Sequence, residues 1–259
     1  MITVSSWGIA GSVVGPGRIG RAWLGQSRGG AVDLAGAALA NRLVGNEPGA
    51  RCLETSGGLT LQVERSAMVA VAGAGAQVVV THGPPVGWGS PVVLPAGAVL
   101  HVRRVHDGAR AYLAVRGGVT RLDDSLHIGD DPGVPAATHP ASPHARGHTV
   151  RVWPGPRLDW AAADAWQALL ATTFTVVDTS RVGVRLDGPP IERAVHRELP
   201  SEGMVEGAVQ LPPDGRPVVM LADHPTTGGY PVIAMVDPAA MAVVAQAAVG
   251  EPLRFVAAG

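Results

Sequence analysis

Short apolar runs, each closed by glycine or proline, recur along the whole of this sequence. The chain carries 35 glycines and 22 prolines in 259 residues. Glycine loosens the backbone and proline cannot sit inside a helix, so punctuation this dense forbids a bundle of long helices. The pieces between breakers are the size of strands. Residues 69–72, 77–81 and 91–94 are three such runs. Residues 98–105 and 110–115 are two more, and Asp107-Gly108 between them is a hairpin signal. The second half repeats the texture at 150–153, 174–177, 184–186, 209–211, 218–222 and 232–236, with Asp187-Gly188 and Asp214-Gly215 as turns. Spacing this regular predicts barrels or sandwiches rather than βαβ units: a mainly β fold in two β-rich halves, with a few short helices.

Three segments read as helices. Asp33 caps the first, over 34–43, with Leu34, Ala38 and Arg42 on one face, Gly36 costing some stability and Gly45 near the exit. Asp159 caps a second through Leu170, presenting Trp160, Ala163, Trp166 and Leu170. In the third, Asp237 is the cap, Pro238 opens the first turn, Met241, Val244 and Ala248 form a stripe, and Gly250 follows the end. Residues 132–149 have no sustained period. The expected division is therefore 1–132, a linker or long loop over 133–149, and 150–259. His139, His144 and His148 in the linker stand five and four apart without a nearby carboxylate, so no metal site is expected.

Composition removes several functions. Residues 66–102 lack Asp, Glu, Lys and Arg, but glycine and proline break the stretch repeatedly, so it reads as buried β structure and not as a membrane span. With 21 acidic and 20 basic side chains there is no basic field for nucleic acid. All 20 basic residues are arginine. A Walker A lysine, a Schiff-base lysine and a biotinyl lysine are thereby excluded from this chain. Cys52 stands alone, which excludes an intrachain disulfide and fits a reducing, cytoplasmic setting. No basic segment precedes an apolar run in residues 1–20, so no signal peptide is expected.

Polar groups set in this apolar texture are the candidates for chemistry. GPGRIG at 15–20 lacks a preceding strand and reads as a turn, not a nucleotide loop. Arg28 is a fork donor for a carboxylate or phosphate, Gly29-Gly30 allows close approach, and Asp33 opens the following helix. Glu54 in RCLET is a candidate partner for such an arginine. Arg181 and Arg185, four apart, share a face if the chain is extended, and a pair of that kind clamps a carboxylate. The block 198–236 places Glu202, Glu206, Gln210, Asp223 and His224 in strand-like chain and contains the turn Thr226-Thr227-Gly228-Gly229-Tyr230, whose amides suit an oxyanion. Glu202 and Asp223 are the proton-transfer candidates if burial raises their pKa, with Gln210 beside them. No G-x-S-x-G elbow supports a serine triad.

Several of these motifs occur together in one family. GQSRGGAVDLAGAALANRLVGN, RCLETSGG, RAYLAVRGG, PGPRLDW, SRVGVRLDGPP and SEGMVEGAVQLPPDGRPVVMLADHPTTGGYP resemble the KipA, or allophanate hydrolase subunit 2-like, family of biotin-dependent carboxyltransferases. The resemblance implies cyclophilin-like β-barrel architecture and a role as the C-type component of ATP-dependent 5-oxoprolinase, which converts 5-oxo-L-proline to L-glutamate. It also implies a KipI-like, B-type partner, a third protein of the A type, and ATP held by or shared with the complex. It marks Glu202, Asp223 and Gln210 as catalytic and Arg28, Asp33, Arg181, Thr227, Gly228, Gly229 and Tyr230 as contacts to a small amide or lactam. The sequence departs from the family pattern in four places. Val14 and Gly15 replace Gln and Asp, Ala72-Gly73-Ala74-Gly75 lacks the usual Asp, a loop after Gly118 is shorter, and Val232 replaces a basic residue. Two other readings follow from these departures and from related domains: a non-catalytic regulatory protein, or the carboxyltransferase component of a urea carboxylase or allophanate-type system.

Overall fold

The computed structural model describes residues 1–122, 125–137 and 147–259. His139 and His144 lie outside the described residues. The chain forms two compact units. One is Met1–Gly17 with Asp33–Ala145, and the other is Arg18–Val32 with Arg146–Gly259. Residues 18–32 therefore belong with the C-terminal chain, a crossing that a boundary drawn at 133–149 does not contain. No helix among the described residues is long and apolar enough to cross a membrane.

The first unit is built on a nine-stranded sheet. Its longest members, Ala67–Thr81 and Val99–Val115, pair antiparallel along most of their length. The hairpin expected at Asp107-Gly108 is not there. Val105 and Ala111 stay in one strand because both flanking runs pair with the same partner: Val105 with Ala76, and Ala111 with Gly73. Ala74 alone on one strand faces Asp107, Gly108, Ala109 and Arg110 on the other, so the extra residues make a bulge. Asp107 at φ 51° and Gly108 at φ 136° supply the bend. The same two residues would make a turn if the chain were free, but here the ladder on either side overrides them.

The helix Leu34–Leu43 starts where Asp33 predicts, with the Asp33 carboxylate accepting the Gly36 N–H at 3.0 Å. Its buried face differs from expectation. Ala37, Ala40, Asn41 and Leu43 turn inward, while Leu34 is 48% exposed. Gly36 is not merely a cost: an added Cβ would stand 3.1 Å from both Gly73 Cα and Tyr112 Cδ2. Tyr112 is fully buried; its hydroxyl donates to Glu54 Oε2 at 2.8 Å and accepts the Asp33 N–H at 2.8 Å. Burial, then the Glu54 charge, holds the phenol well above its ordinary pKa.

The second unit is a closed barrel of seven strands. Around it run Thr149–Pro154, Val232–Val236, Ala208–Gln210, Val218–Met220, Gly183–Asp187, Thr173–Thr179 and Pro252–Ala257. Alternation sorts each strand. Val184, Leu186, Val209 and Val219 fill the interior, where Phe174 and Phe255 meet edge-on at 5.9 Å. Val32, from the early segment, joins this core. This is the barrel architecture that the family resemblance implies. The second helix is shorter than expected. Leu158–Trp160 is a single 3₁₀ turn, and the α-helix covers only Ala165–Ala171. The third begins as expected, with Asp237 accepting the Ala239 N–H at 2.9 Å, but its α-helical part ends at Ala245.

Candidate functional site

Every site residue expected from the sequence except Asp33 and Glu54 lies in the barrel unit. Glu202–Gly203 and Thr227–Gly228 form a two-stranded ribbon, with Glu202 opposite Gly228. Glu202 and the Thr-Gly-Gly turn are thus neighbours. Gly228 is required by close packing. An added Cβ would lie 2.7 Å from Gln210 Nε2 and 2.6 Å from Met204 Cε. Gln210 is buried, and its Nε2 donates to the Tyr230 carbonyl at 3.2 Å.

Three arginine–carboxylate forks surround this ribbon and the early segment. Arg28 donates to both oxygens of Glu206, at 2.6 and 2.8 Å, and to the Ala31 carbonyl at 3.1 Å. Arg181 donates to both oxygens of Asp223, at 2.8 and 3.3 Å, and to the Gly30 carbonyl at 2.6 Å. Arg157 donates to both oxygens of Glu202. The Gly29 N–H completes the stitching by donating to the Ala222 carbonyl at 2.9 Å. Fork geometry of this kind is directional and charge-assisted, so it fixes the segment against the barrel end.

These pairings change the roles expected of several residues. Arg28 and Arg181 hold Glu206 and Asp223, so their forks build the site instead of standing free for a substrate carboxylate. Glu54 is not the partner of Arg28 in this pairing; it accepts from Tyr112. Asp33 caps its helix in the other unit. Glu202 does not meet the condition set for a proton carrier. Hydrogen bonds from Arg157 hold its carboxyl below the usual carboxylate range, against a smaller opposing effect of desolvation.

Arg181 and Arg185 do not clamp one ligand together. Arg181 turns to Asp223, whereas Arg185 lies on Gly183–Asp187 and faces outward. A cavity of about 420 Å³ opens there, lined by Arg185, Gln210, Pro212, Pro213, Asp214, Val218, Met220 and Tyr230. The strand register explains the grouping. Arg185 stands opposite Val218, and Val218 opposite Gln210, so the three form a row across adjacent strands. No group of three or more His, Cys, Asp or Glu able to hold a metal occurs among the described residues. Arg157 was missed by sequence reasoning. Its signal was its place in PGPRLDW, but the carboxylate it pairs with is 45 residues away.

Comparison with known proteins places this geometry in a family. The carboxyltransferase domain family, subdomains A and B, matches residues 24–123 and 120–257. The C subunit of 5-oxoprolinase from Escherichia coli (strain K12) is 33% identical over 99% of this chain and 91% of its own length. The crystal structure of TTHA0988 superposes with a TM-score of 0.86 at 34% identity, over 98% of this chain. The chain spans 55% of that solved chain. The Kluyveromyces lactis urea amidolyase structure shares the fold at 24% identity and TM-score 0.83, covering 100% of this chain and 19% of its own. With both subdomains matched and the similarity running through nearly the whole sequence, the chain belongs to the carboxyltransferase domain family, subdomains A and B.

Proposed function

We propose that this protein is the C-type subunit of an ATP-dependent 5-oxoprolinase, which opens 5-oxo-L-proline to L-glutamate with release of ADP and phosphate. The observation that carries this reading is the 33% identity to the C subunit of the Escherichia coli 5-oxoprolinase, which extends across 99% of the chain. The site chemistry agrees with it. A lactam resists hydrolysis because its amide is resonance-stabilised, and ATP activates the carbonyl as a phosphorylated intermediate that water then opens. This chain contributes the barrel, the Thr227–Gly228 strand of the ribbon opposite Glu202–Gly203, and the buried amide of Gln210. A KipI-like, B-type protein and a third protein of the A type complete the machinery in the cytoplasm, with ATP bound by or shared among them. No biotin is attached here, since the chain has no lysine.

Reconstitution tests this reading. The chain is co-expressed with its B-type and A-type partners, and glutamate and ADP formed from 5-oxoproline are measured. ATP-coupled glutamate requiring all three supports it. A stable complex without that turnover favours a regulatory binding protein, a reading suggested by the occupied forks of Arg28 and Arg181. Consumption of carboxybiotin from a biotinyl protein added in trans favours the carboxyltransferase reading, which the family description suggests.

A further inference from the structure

We infer that the outward cavity over Val218 is a seat for a small lactam or amide that carries a carboxylate, with Arg185 taking the carboxylate and Gln210 the amide. This rests on the oxoprolinase reading for the identity of the natural ligand, but its chemistry stands on the cavity itself.

Four observations support it. The Arg185 guanidinium is exposed on the outer face of its strand and has no hydrogen bond or ion pair among the described residues. In the same unit the Arg28, Arg157 and Arg181 guanidinia are each forked on a protein carboxylate. Arg185 is thus the charge in this cavity that a ligand carboxylate can engage, in the bidentate geometry a guanidinium favours. Second, Gln210 presents an amide held in one orientation by its bond to the Tyr230 carbonyl. Its carbonyl oxygen and its second N–H match the N–H and C=O of a lactam. Third, the row Arg185, Val218, Gln210 crosses two strand spacings, roughly 10 Å between backbones. Both residues line the cavity, one on either side of Val218. Fourth, Val218 and Met220 supply apolar floor for ring methylenes, and Tyr230, 46% exposed, stands at the rim. Asp214 also lines the cavity, and its carboxylate accepts the Arg216 N–H at 3.1 Å within its own turn.

Binding is measured by titration calorimetry and saturation-transfer NMR on the full chain alone, because every group named belongs to it. The probes are 5-oxo-L-proline and 2-pyrrolidinone, the same ring without the carboxylate. The wild type binds 5-oxoproline more tightly than 2-pyrrolidinone. Arg185→Ala weakens 5-oxoproline by about 10- to 100-fold and leaves 2-pyrrolidinone unchanged. Gln210→Met, which keeps the volume but removes the amide, weakens both. No binding by the wild-type chain, or equal 5-oxoproline affinity in R185A and wild type, overturns the assignment. The two proposals fail separately. Arg185-dependent binding without ATP-coupled glutamate from the reconstituted complex keeps this seat and removes the oxoprolinase reading. Full turnover with KM unchanged in R185A does the reverse.

Discussion

Glu202 shows how a residue's partner sets its chemistry. Hydrogen bonds from Arg157 favour its charged form and hold its carboxyl below the usual carboxylate range. The sign of its pH effect follows. Its folded pKa lies below the unfolded value, so the stabilisation is present above roughly pH 4.3 and is lost as pH falls toward the folded value. Glu202→Gln is expected to shift the urea midpoint by a constant amount between about pH 6 and 8, with the difference from wild type shrinking in acid. The acid limb of any activity profile stays in place in this variant; its disappearance would show Glu202 titrating after all. Cys52 follows the same logic with the opposite sign. Burial, and then the Glu54 charge, push its thiol up to about 12. It is a neutral thiol packed in a strand at neutral pH. Native protein is expected to resist a maleimide that labels the urea-unfolded chain at one site, as followed by mass spectrometry. The Asp33 cap was readable from its neighbours alone. The Arg157–Glu202 fork was not, because a pair so distant in sequence leaves no local pattern.

Elements were legible where the signal was local and hidden where a partner strand decided. Six of the seven barrel strands fell close to the expected runs, since alternation and turn residues act within a few positions; the seventh, Pro252–Ala257, was not expected. The run 232–236 became the strand Val232–Val236. Asp107-Gly108 misled because a bulge and a hairpin use the same conformations, and only the opposing strand separates them. The helix face was misjudged for a related reason. Its small residues, Gly36, Ala37 and Ala40, pack closer than a larger side chain would allow, so the buried side is not the more apolar one. Two glycines test this role of close approach. Gly73 and Gly97 both sit at φ +82°, so alanine meets left-handed backbone strain at each. An added Cβ at Gly97 finds open space, whereas at Gly73 it meets Arg110 O at 2.7 Å and Tyr112 Cδ2 at 2.8 Å. Gly97→Ala should cost about 1–2 kcal/mol in chemical denaturation. Gly73→Ala should cost about 1–3 kcal/mol more, from overpacking. Equal losses would mean that backbone strain alone keeps glycine at Gly73.

At the scale of the molecule, the path of the chain matters as much as its composition. The Pro-rich stretch at 133–149 has the composition of a linker. Composition does not mark residues 18–32, because leaving one unit for another requires no special residue type. What ties that segment down is spread across the sequence: Gly29 to Ala222, Arg28 to Glu206, Arg181 to Gly30, and Val32 in the barrel core. The barrel unit is therefore discontinuous in sequence. A fragment of residues 147–259 lacks these ties. Glu206 loses its guanidinium, the Ala222 carbonyl loses its donor, and the core loses Val32. Each loss is small, but a domain is stable by only about 5–15 kcal/mol, and an unpaired buried carbonyl alone costs about 1–3 kcal/mol. The fragment is expected to give poorly dispersed amide NMR resonances or a clearly lowered urea midpoint. Residues 18–32, supplied as a peptide or fused through a flexible linker, should restore dispersion and raise the midpoint. An Arg28→Ala version of the same peptide should restore less. If the bare fragment is as stable as the fused one, the segment merely rests on the barrel, and its Arg28–Glu206 fork contributes orientation without stability.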